Sequence, residues 1–417
     1  MGDATQTSNW IWPAAAVAVC ALLTAVMRVS FDSFAVFLLP LADNFGWDRA
    51  ETAGIYGTLM LFFGIGSPIA GRLMDWWGPR WTYVTGAAII AAAFHFTASA
   101  SALWHFYLTI GVAVGLGGAL IGLVSHATLL ARWFHANLTI AIAVSAAASG
   151  VGLLIFAPLI QLLIDGSGWR AAYSTLSWVA ILLTAFLFVL PWRELSGPSG
   201  PAPAVSHSRD PDVYEPATDE LPPHTATQAY RNSRFWALFS IQFLTAFSMF
   251  TLNPQIVAFL IENGFDPVAA ASAFGATGLA GTVGLIAFAW LADRRGRGLA
   301  MTLSYGMTIA GFSLLLAIMA VPVWGLVGLF IIIYGPTFGS RGPIVNALVP
   351  RLFGRGPHLG LIMGSVQLGM GAGAALGATF GGYLHDINGY AAVIALAIAA
   401  NIGALALYWS VGNIRNA

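Results

Sequence analysis

Charged residues are scarce in this chain of 417 residues. Only 8% of them are Asp, Glu, Lys or Arg, whereas 58% are hydrophobic. An ordinary soluble domain is about 25% charged, because its core must be covered by a polar surface. The shortage excludes a soluble enzyme, a nucleic-acid-binding protein and a disordered scaffold. It leaves a polytopic membrane protein, whose apolar surface faces the lipid bilayer.

Lysine is absent, and the sequence contains a single cysteine. The 17 basic residues are all Arg and are balanced by 17 acids, so no net charge attracts nucleic acid or an acidic partner. Cys20 has no second cysteine with which to form an intramolecular disulfide. The sequence also has neither His-Glu-x-x-His nor Gly-x-Ser-x-Gly. We therefore expect no membrane enzyme, no metal and no cofactor.

Charged or Gly/Pro-rich breaks divide the chain into apolar runs. A helix that spans a bilayer needs about 20 such residues. The pattern predicts an all-α membrane protein with twelve transmembrane helices in two parallel-repeat six-helix bundles. The predicted spans, numbered 1 to 12 in chain order, cover 13–40, 50–74, 81–101, 104–130, 138–164, 170–191, 235–261, 268–292, 299–320, 323–348, 358–384 and 389–411.

A proline-rich segment, 192–233, separates the sixth span from the seventh. Its seven prolines and clustered acids are typical of a flexible linker. The prediction is an N-terminal bundle at 1–191, a cytoplasmic linker at 192–233 and a C-terminal bundle at 234–417. Residues 1–12 contain no basic residue, unlike a secretory signal, so we expect span 1 to be retained.

The arginines predict how the chain is oriented. If the N-terminus is inside, thirteen arginines fall on the cytoplasmic side and only Arg49 and Arg170 on the outer side. Cytoplasmic loops carry the excess of basic residues in membrane proteins. Both termini are therefore expected to be cytoplasmic, in a multi-pass protein of the cell inner membrane. We expect it to be a monomer.

The two halves repeat each other in sequence. GWDRAETAGIYG, which begins at Gly46, aligns without gaps with GFDPVAAASAFG, which begins at Gly264. The offset is 218 residues, so the repeat units have the same orientation. Transporters with such repeats rock two halves about a site near the bilayer midplane. The aligned pairs are Gly46 with Gly264, Asp48 with Asp266, Gly57 with Gly275, Gly66 with Gly284, Asp75 with Asp293 and Gly78 with Gly296.

GRLMDWWGPR at 71–80 and AWLADRRGRG at 289–298 resemble the loop signature of the major facilitator superfamily, Gly-x-x-x-Asp-x-x-Gly-x-Arg. The second copy has Ala289 in place of the first glycine. The resemblance implies that Asp75, Arg80, Asp293 and Arg297 are gating residues at the cytoplasmic ends of spans 2 and 8. Ordinary loop charges that follow the positive-inside rule are the alternative.

Within the superfamily, the chain is most similar to the monocarboxylate transporter branch. The stretch SFAVFLLPLADNFGW at 33–47 carries this resemblance, together with GPRW, ARWF and SRGP. Two family features are missing. The usual lysine of span 1 is replaced by Asp32, and the usual Asp and Arg of span 8 are absent. The family's fold therefore transfers to this chain, whereas its substrate does not transfer safely.

Span 1 contains two charged residues, whose burial in the membrane must be offset by a favourable interaction. A charge at the bilayer centre costs from about 2.5 to more than 10 kcal/mol. Arg28 and Asp32 are four residues apart, so they share a helix face and can pair. The leading hypothesis is proton-coupled symport of a small organic anion, with Arg28 as the anion ligand and Asp32 as the proton-coupling residue. A purely structural ion pair is the alternative.

Other polar residues in the spans extend this hypothesis. Spans 1, 4, 7 and 10 line the central cavity in the superfamily. His126 in span 4 is the second candidate for proton coupling, although a core histidine is the alternative. Arg341 in span 10 either binds substrate or caps carbonyls freed by Gly-Pro breaks. The remaining predicted substrate-binding residues are Asn253, Gln255, Tyr334 and Gln367.

Two other functions remain open, an exporter and a sensor. A proton-driven multidrug efflux antiporter would use Asp32 alone. However, two intramembrane arginines against one acid favour an anion, and span 5 lacks the Gly-Pro-x-x-Gly-Gly pattern common in exporters. A sensor without transport activity would need a signalling domain or an extended tail, and we expect neither here.

Overall fold

Every secondary-structure element that the structure describes is helical. The computed structural model describes residues 10–130, 132–134, 138–197, 225–353 and 359–410. In these residues, nine helical segments are long and apolar enough to cross a membrane, and one shorter apolar helix follows the eighth. Two of the nine contain two spans each. The chain is therefore a multi-pass membrane protein with the twelve predicted spans.

The described spans lie close to the predicted ones, with ends that differ by a few residues. The first four spans are Ile11–Phe45, Arg49–Trp76, Gly78–Ala98 and Leu103–Leu130. Spans 5 and 6 are the two parts of Leu138–Val189, which breaks at Gly168. Spans 7 to 9 are Ser233–Glu262, Pro267–Arg295 and Arg297–Ala320. Span 10 combines Trp324–Thr337 with Arg341–Phe353, and spans 11 and 12 are the two parts of Leu359–Ser410, which breaks at Gly389.

Span 7 and span 10 are interrupted where the sequence places proline. Proline removes a backbone donor and crowds the preceding turn of a helix. Asn253–Gln255 forms a short 3-10 turn around Pro254. Gly335–Thr337 forms another around Pro336, and the helix resumes at Arg341. These breaks bring polar groups into the middle of two spans.

The repeat seen in the sequence is also present in the backbone. Asp48 occupies the N-cap position of span 2, and Asp266 occupies that of span 8. The Asp266 carboxylate accepts a hydrogen bond of 2.9 Å from the Ala269 amide. The glycines that precede these caps, Gly46 and Gly264, have φ of 69° and 89°. Only glycine adopts this left-handed region without strain. The same local chemistry thus begins span 2 and span 8.

Repeat-related glycines also pack on repeat-related helices. Gly57 of span 2 lies against the backbone of Ala375 in span 11, and Gly275 of span 8 lies against the backbone of Leu154 in span 5. A Cβ atom on either glycine would come within 3 Å of its neighbour. These two contacts join the halves of the protein. Glycine is needed there because the two backbones approach too closely for a larger residue.

The N-terminal bundle continues past the predicted boundary at 191. Trp192 and Leu195 are buried in a short helix, Trp192–Leu195, and the Trp192 ring lies 5.8 Å from that of Tyr83 in span 3. At the other end of the predicted linker, Ala226–Tyr230 forms a second short helix. Residues 198–224, which carry the rest of the linker, lie outside the described residues.

The spans alternate in direction, so their ends lie on two opposite faces of the bundle. The terminal face is the one on which the chain enters span 1 and leaves span 12. The distal face is the opposite one, on which span 2 begins at Arg49 and span 7 ends at Glu262.

Gly284→Ala should lower the thermal unfolding temperature of the protein in detergent. A Cβ atom at Gly284 would clash with the backbone of Pro336 in span 10. Overpacking of this kind typically costs about 1–3 kcal/mol. Gly306→Ala in span 9 is the matched control, since no atom lies within 4 Å of its Cβ position. Equal effects of the two substitutions would contradict the importance of this contact.

Candidate functional site

A pocket lies between the two halves of the protein, with a volume of about 220 Å³. Its walls come from spans 1, 4 and 5 of the N-terminal half and from spans 8 and 10 of the C-terminal half. Arg28 is the one charged residue among the described residues that line it. The uncharged polar groups of the lining are Thr24, Ser149 and Thr282, and most of the other lining side chains are apolar.

Arg28 and Asp32 form the ion pair that their spacing predicts. Arg28 Nη2 lies 2.5 Å from Asp32 Oδ2. The Arg28 side chain is 23% exposed, whereas that of Asp32 is fully buried. The guanidinium also lies 5.2 Å from the centre of the Phe338 ring in span 10. A ligand in the pocket therefore meets Arg28 first, with the carboxylate of Asp32 behind it.

Tyr56 contributes a further contact that the sequence did not suggest. Its hydroxyl, on span 2, donates a hydrogen bond of 3.3 Å to Asp32 Oδ1. The Asp32 carboxylate is thus held by Arg28 through one oxygen and by Tyr56 through the other. A buried carboxylate needs such partners, because it has lost its water. No pattern in the sequence singles out Tyr56 from the other tyrosines of the spans.

Arg341 is buried in the C-terminal half and does not line the pocket. Its Nε donates to Ser304 Oγ at 3.0 Å, and its Nη1 donates to Asn401 Oδ1 at 3.3 Å. Nη2 reaches the Ser304 carbonyl at 3.1 Å and the Thr308 hydroxyl. The guanidinium lies 4.2 Å from the centre of the Tyr305 ring. These contacts to spans 9 and 12 favour a structural role over the predicted substrate-binding role.

His126 also makes its contacts within one half. Its Nδ1 lies 3.0 Å from the Tyr83 hydroxyl in span 3, and the ring is 2% exposed. The Cys20 sulfur lies 3.9 Å from the same hydroxyl. This buried cluster resembles the core histidine that was the alternative to a proton-coupling residue. Cys20 itself is also buried.

The other predicted substrate-binding residues do not line the pocket. Asn253, Gln255 and Tyr334 are almost fully buried. The Gln255 side chain donates to the Thr251 carbonyl at 3.2 Å, and Gln367 accepts a bond of 3.3 Å from Gln242. Of the residues that the sequence predicted to bind substrate, only Arg28 reaches the pocket. The binding roles of the others stay predictions.

The signature loops lie on the terminal face, between spans 2 and 3 and between spans 8 and 9. Gly78 and Gly296, which the repeat aligns, have φ of 73° and 94°. Arg80 donates a hydrogen bond of 3.1 Å to the Phe188 carbonyl at the end of span 6. The side chains of Asp75 and Asp293 lie outside the described part of the structure. The gating role of these residues and of Arg297 therefore stays a prediction.

A charged cluster joins the two halves at the distal face. Arg49 of span 2 forms an ion pair with Glu262 of span 7. The backbone amides of Arg49 and Ala50 donate to the two oxygens of Asp386 in span 11, at 3.2 and 3.0 Å. His385 lies 3.8 Å from Glu262 and 3.5 Å from Asp386. The sequence pattern does not reveal this cluster, because Arg49 lies between two apolar runs as a loop charge does, although it is only 8% exposed.

The class of protein is given by its sequence profile together with its fold. The chain matches the sequence profile of the Major Facilitator Superfamily over residues 20–356 and 238–414. It belongs to this superfamily of membrane transporters and is not an enzyme.

Named relatives narrow the comparison. The chain is 29% identical to monocarboxylate transporter 13 of Bos taurus over 382 residues, which cover 91% of this chain and 84% of the relative. It is 28% identical to monocarboxylate transporter 11 of Homo sapiens, over 91% of this chain and 78% of the relative. The predicted resemblance to the monocarboxylate transporters is confirmed.

Solved structures share the fold at low sequence identity. A bacterial homologue of the human lysosomal transporter Spinster, in an inward-facing and occupied conformation, has a TM-score of 0.70 and 14% identity, over 97% of both chains. A D-xylose-proton symporter has a TM-score of 0.68 and 15% identity, over 94% of this chain and 97% of that one. Both likenesses support the predicted twelve-span architecture.

Glu262→Gln should open the distal face. A residue at position 53 reports this opening, because Ala53 is buried on the face of span 2 that carries Ala50 and Gly57. In an Ala53→Cys, Cys20→Ser background, loss of the ion pair with Arg49 should raise the rate of maleimide labelling about fivefold or more, because a lost charged partner costs about 1–3 kcal/mol.

Glu51→Gln is the matched control, since the Glu51 carboxylate accepts only a capping hydrogen bond of 3.2 Å from the Asp48 amide in the same half. If both variants label at the rate of the parent protein, the cluster does not hold the distal face closed.

Proposed function

We propose that this protein is a proton-coupled symporter of a small organic anion, of monocarboxylate type, that works by alternating access. One observation carries the proposal: the only described charge in the pocket lining is Arg28, and its partner is a fully buried acid. The named monocarboxylate transporters among its relatives support the same substrate class.

The coupling follows from competition for Arg28. A guanidinium binds a carboxylate through two parallel hydrogen bonds. When a substrate carboxylate takes this place, Asp32 loses the cation that offsets its burial. An isolated buried carboxylate is costly, so Asp32 then takes up a proton. Anion and proton therefore bind together, and the loaded site has the same net charge as the empty one.

The charge and polarity of the pocket lining also limit which substrates can bind. A single cation with an apolar surround matches one carboxylate and a small apolar body. A second carboxylate on the substrate would meet no further charge among the described lining residues. Thr24, Ser149 and Thr282 offer hydroxyls to an uncharged polar group of the ligand. We therefore expect monocarboxylates to bind better than dicarboxylates.

The distal cluster supports an order of access. It holds the distal ends of spans 2, 7 and 11 together, so we infer that ligands reach the pocket from the terminal face in this conformation. The excess of arginine on the terminal side supports a cytoplasmic position for this face, in the inner membrane of the cell. Rocking of the two halves would then break the distal contacts and close the terminal face.

An efflux antiporter for cations fits this site less well. Such a protein would present an acid to its cavity. Here Asp32 is fully buried behind Arg28, and the guanidinium would repel a cationic ligand. The distinction between the two functions is therefore a matter of which charge the ligand carries.

Arg28→Gln should abolish binding of anions. Purified protein would be screened by thermal shift with short monocarboxylates, dicarboxylates and hydrophobic cations. A ligand at 100 times its dissociation constant stabilises the folded state by about 2.7 kcal/mol, which such a screen detects. We expect a monocarboxylate to stabilise the parent protein and not Arg28→Gln.

Arg170→Gln is the control for loss of an arginine, because Arg170 stacks on the Trp169 ring outside the pocket. Unchanged stabilisation of Arg28→Gln by the same anion would contradict the anion site. A shift with cations alone would instead support the exporter.

Asp32→Asn should separate exchange from net uptake. In proteoliposomes, exchange of labelled for unlabelled substrate requires no net proton movement, so it should continue. Net uptake by the parent protein should rise as the external medium is acidified, and this dependence should be lost in Asp32→Asn. If net uptake keeps its dependence on pH, the proton is carried elsewhere, and His126 is the next residue to test.

A further inference from the structure

Tyr56 lies where the proposed proton site meets the opposite half of the protein. It is 1% exposed, and its hydroxyl donates to Asp32. Its ring lies between Phe34 of span 1, at 5.9 Å between ring centres, and Phe250 of span 7, at 5.8 Å. One side chain of span 2 thus contacts the proton site and a span of the C-terminal half.

Asn253 of span 7 lies close to the Tyr56 hydroxyl. It belongs to the 3-10 turn of span 7, three residues after Phe250, and its side chain is next to this hydroxyl. Asn253 is 1% exposed, and its Nδ2 has no hydrogen-bond partner among the described residues. A buried amide nitrogen without a partner costs about 1–3 kcal/mol. A small rotation of the amide would let it donate to the Tyr56 oxygen.

A hydroxyl can donate one hydrogen bond and accept others at the same time. With the amide rotated in this way, Asn253, Tyr56 and Asp32 would form a chain of donors that ends on a carboxylate. Such chains are cooperative, because each bond polarises the next. This one crosses from the C-terminal half to the N-terminal half, between the pocket and the distal face.

We propose that Tyr56 is a positioning residue that couples the charge of Asp32 to closure of the distal face. The inference rests on the proposed role of Asp32 as the proton site. While Asp32 is ionised, the bond from Tyr56 is charge-assisted, and the chain to Asn253 holds spans 1, 2 and 7 together. When Asp32 gains a proton, this bond becomes one between neutral groups, which is about half as strong. The link between the halves weakens, and the distal face opens more readily.

The charged and titratable groups around Asp32 are consistent with this coupling. Arg28 faces it from its own span and Tyr56 from span 2, and Tyr334 of span 10 is near enough to interact electrostatically with Asp32 and with Arg341. Arg341 donates its described hydrogen bonds to spans 9 and 12 and none of them to Asp32. Arg28 and Tyr56 are therefore the partners whose contacts change when the proton binds.

The test measures how readily the distal face opens at different pH values. The reporter is the rate of maleimide labelling of Ala53→Cys in the Cys20→Ser background, measured at neutral and at acidic pH. Maleimide reacts faster with thiols at neutral pH, so each rate is divided by the rate of a free thiol standard at the same pH. In the parent reporter protein, labelling should rise about five- to tenfold on acidification. In Tyr56→Phe, which keeps the ring between Phe34 and Phe250, labelling should be fast at both pH values.

Two further variants define the comparison. Tyr173→Phe is the matched control: Tyr173 is 2% exposed, stacks on Phe37 at 4.0 Å and makes no described contact with Asp32. It should keep the response of the parent. Asn253→Ala removes only the partner in the other half, and should abolish the response as Tyr56→Phe does. This second route keeps the test valid if Tyr56→Phe folds poorly.

Failure of the coupling can be distinguished from failure of the proton site. If Asp32→Asn abolishes the pH response of labelling and uptake while Tyr56→Phe and Asn253→Ala retain it, the role of Tyr56 is wrong and the proton site stands. If Asp32→Asn itself retains the pH dependence of uptake, the proposed proton site is wrong, and the inference falls with it. A parent protein whose labelling does not change with pH would also overturn the coupling.

Discussion

The structure depends on the neutralisation of charge inside an apolar bundle. Asp32 is fully buried, and it is tolerated because Arg28 and Tyr56 each hold one of its oxygens. The cost of a lone charge at this depth, from about 2.5 to more than 10 kcal/mol, makes these partners necessary. In the proposed mechanism, a ligand that takes Arg28 away brings a proton to Asp32, and the coupling is a consequence of this cost.

The two intramembrane arginines satisfy the same constraint in different ways. Arg341 donates to acceptors from spans 9 and 12 and lies against the Tyr305 ring, away from the pocket. Arg28 has an acid and a ring as described partners, and its side chain is partly exposed to the pocket. The exposed cation can meet an anion in the pocket, whereas the buried one binds its own half.

The described contacts between the halves include two kinds. Gly57 and Gly275 bring the backbones of spans 2 and 11, and of spans 8 and 5, close together. Specific side-chain contacts include the ion pair of Arg49 with Glu262 and the packing of the Tyr56 ring on Phe250. In the proposed mechanism, the halves rock on the glycine contacts, and the switch lies in the side-chain contacts rather than in the backbone packing.

The sequence by itself determined the membrane class, the number of spans, the repeat and the Arg28–Asp32 pair. All of these depend on local patterns: the length of an apolar run, a left-handed glycine such as Gly46 or Gly264, and a spacing of four residues on one helix. Only the tertiary structure decided that Arg28 faces the pocket while Arg341 does not, that Arg49 is buried against Glu262, and that Tyr56 lies between the halves. The reason is physical, because the direction in which a side chain points is set by how distant spans rotate and pack, and no local pattern records that rotation.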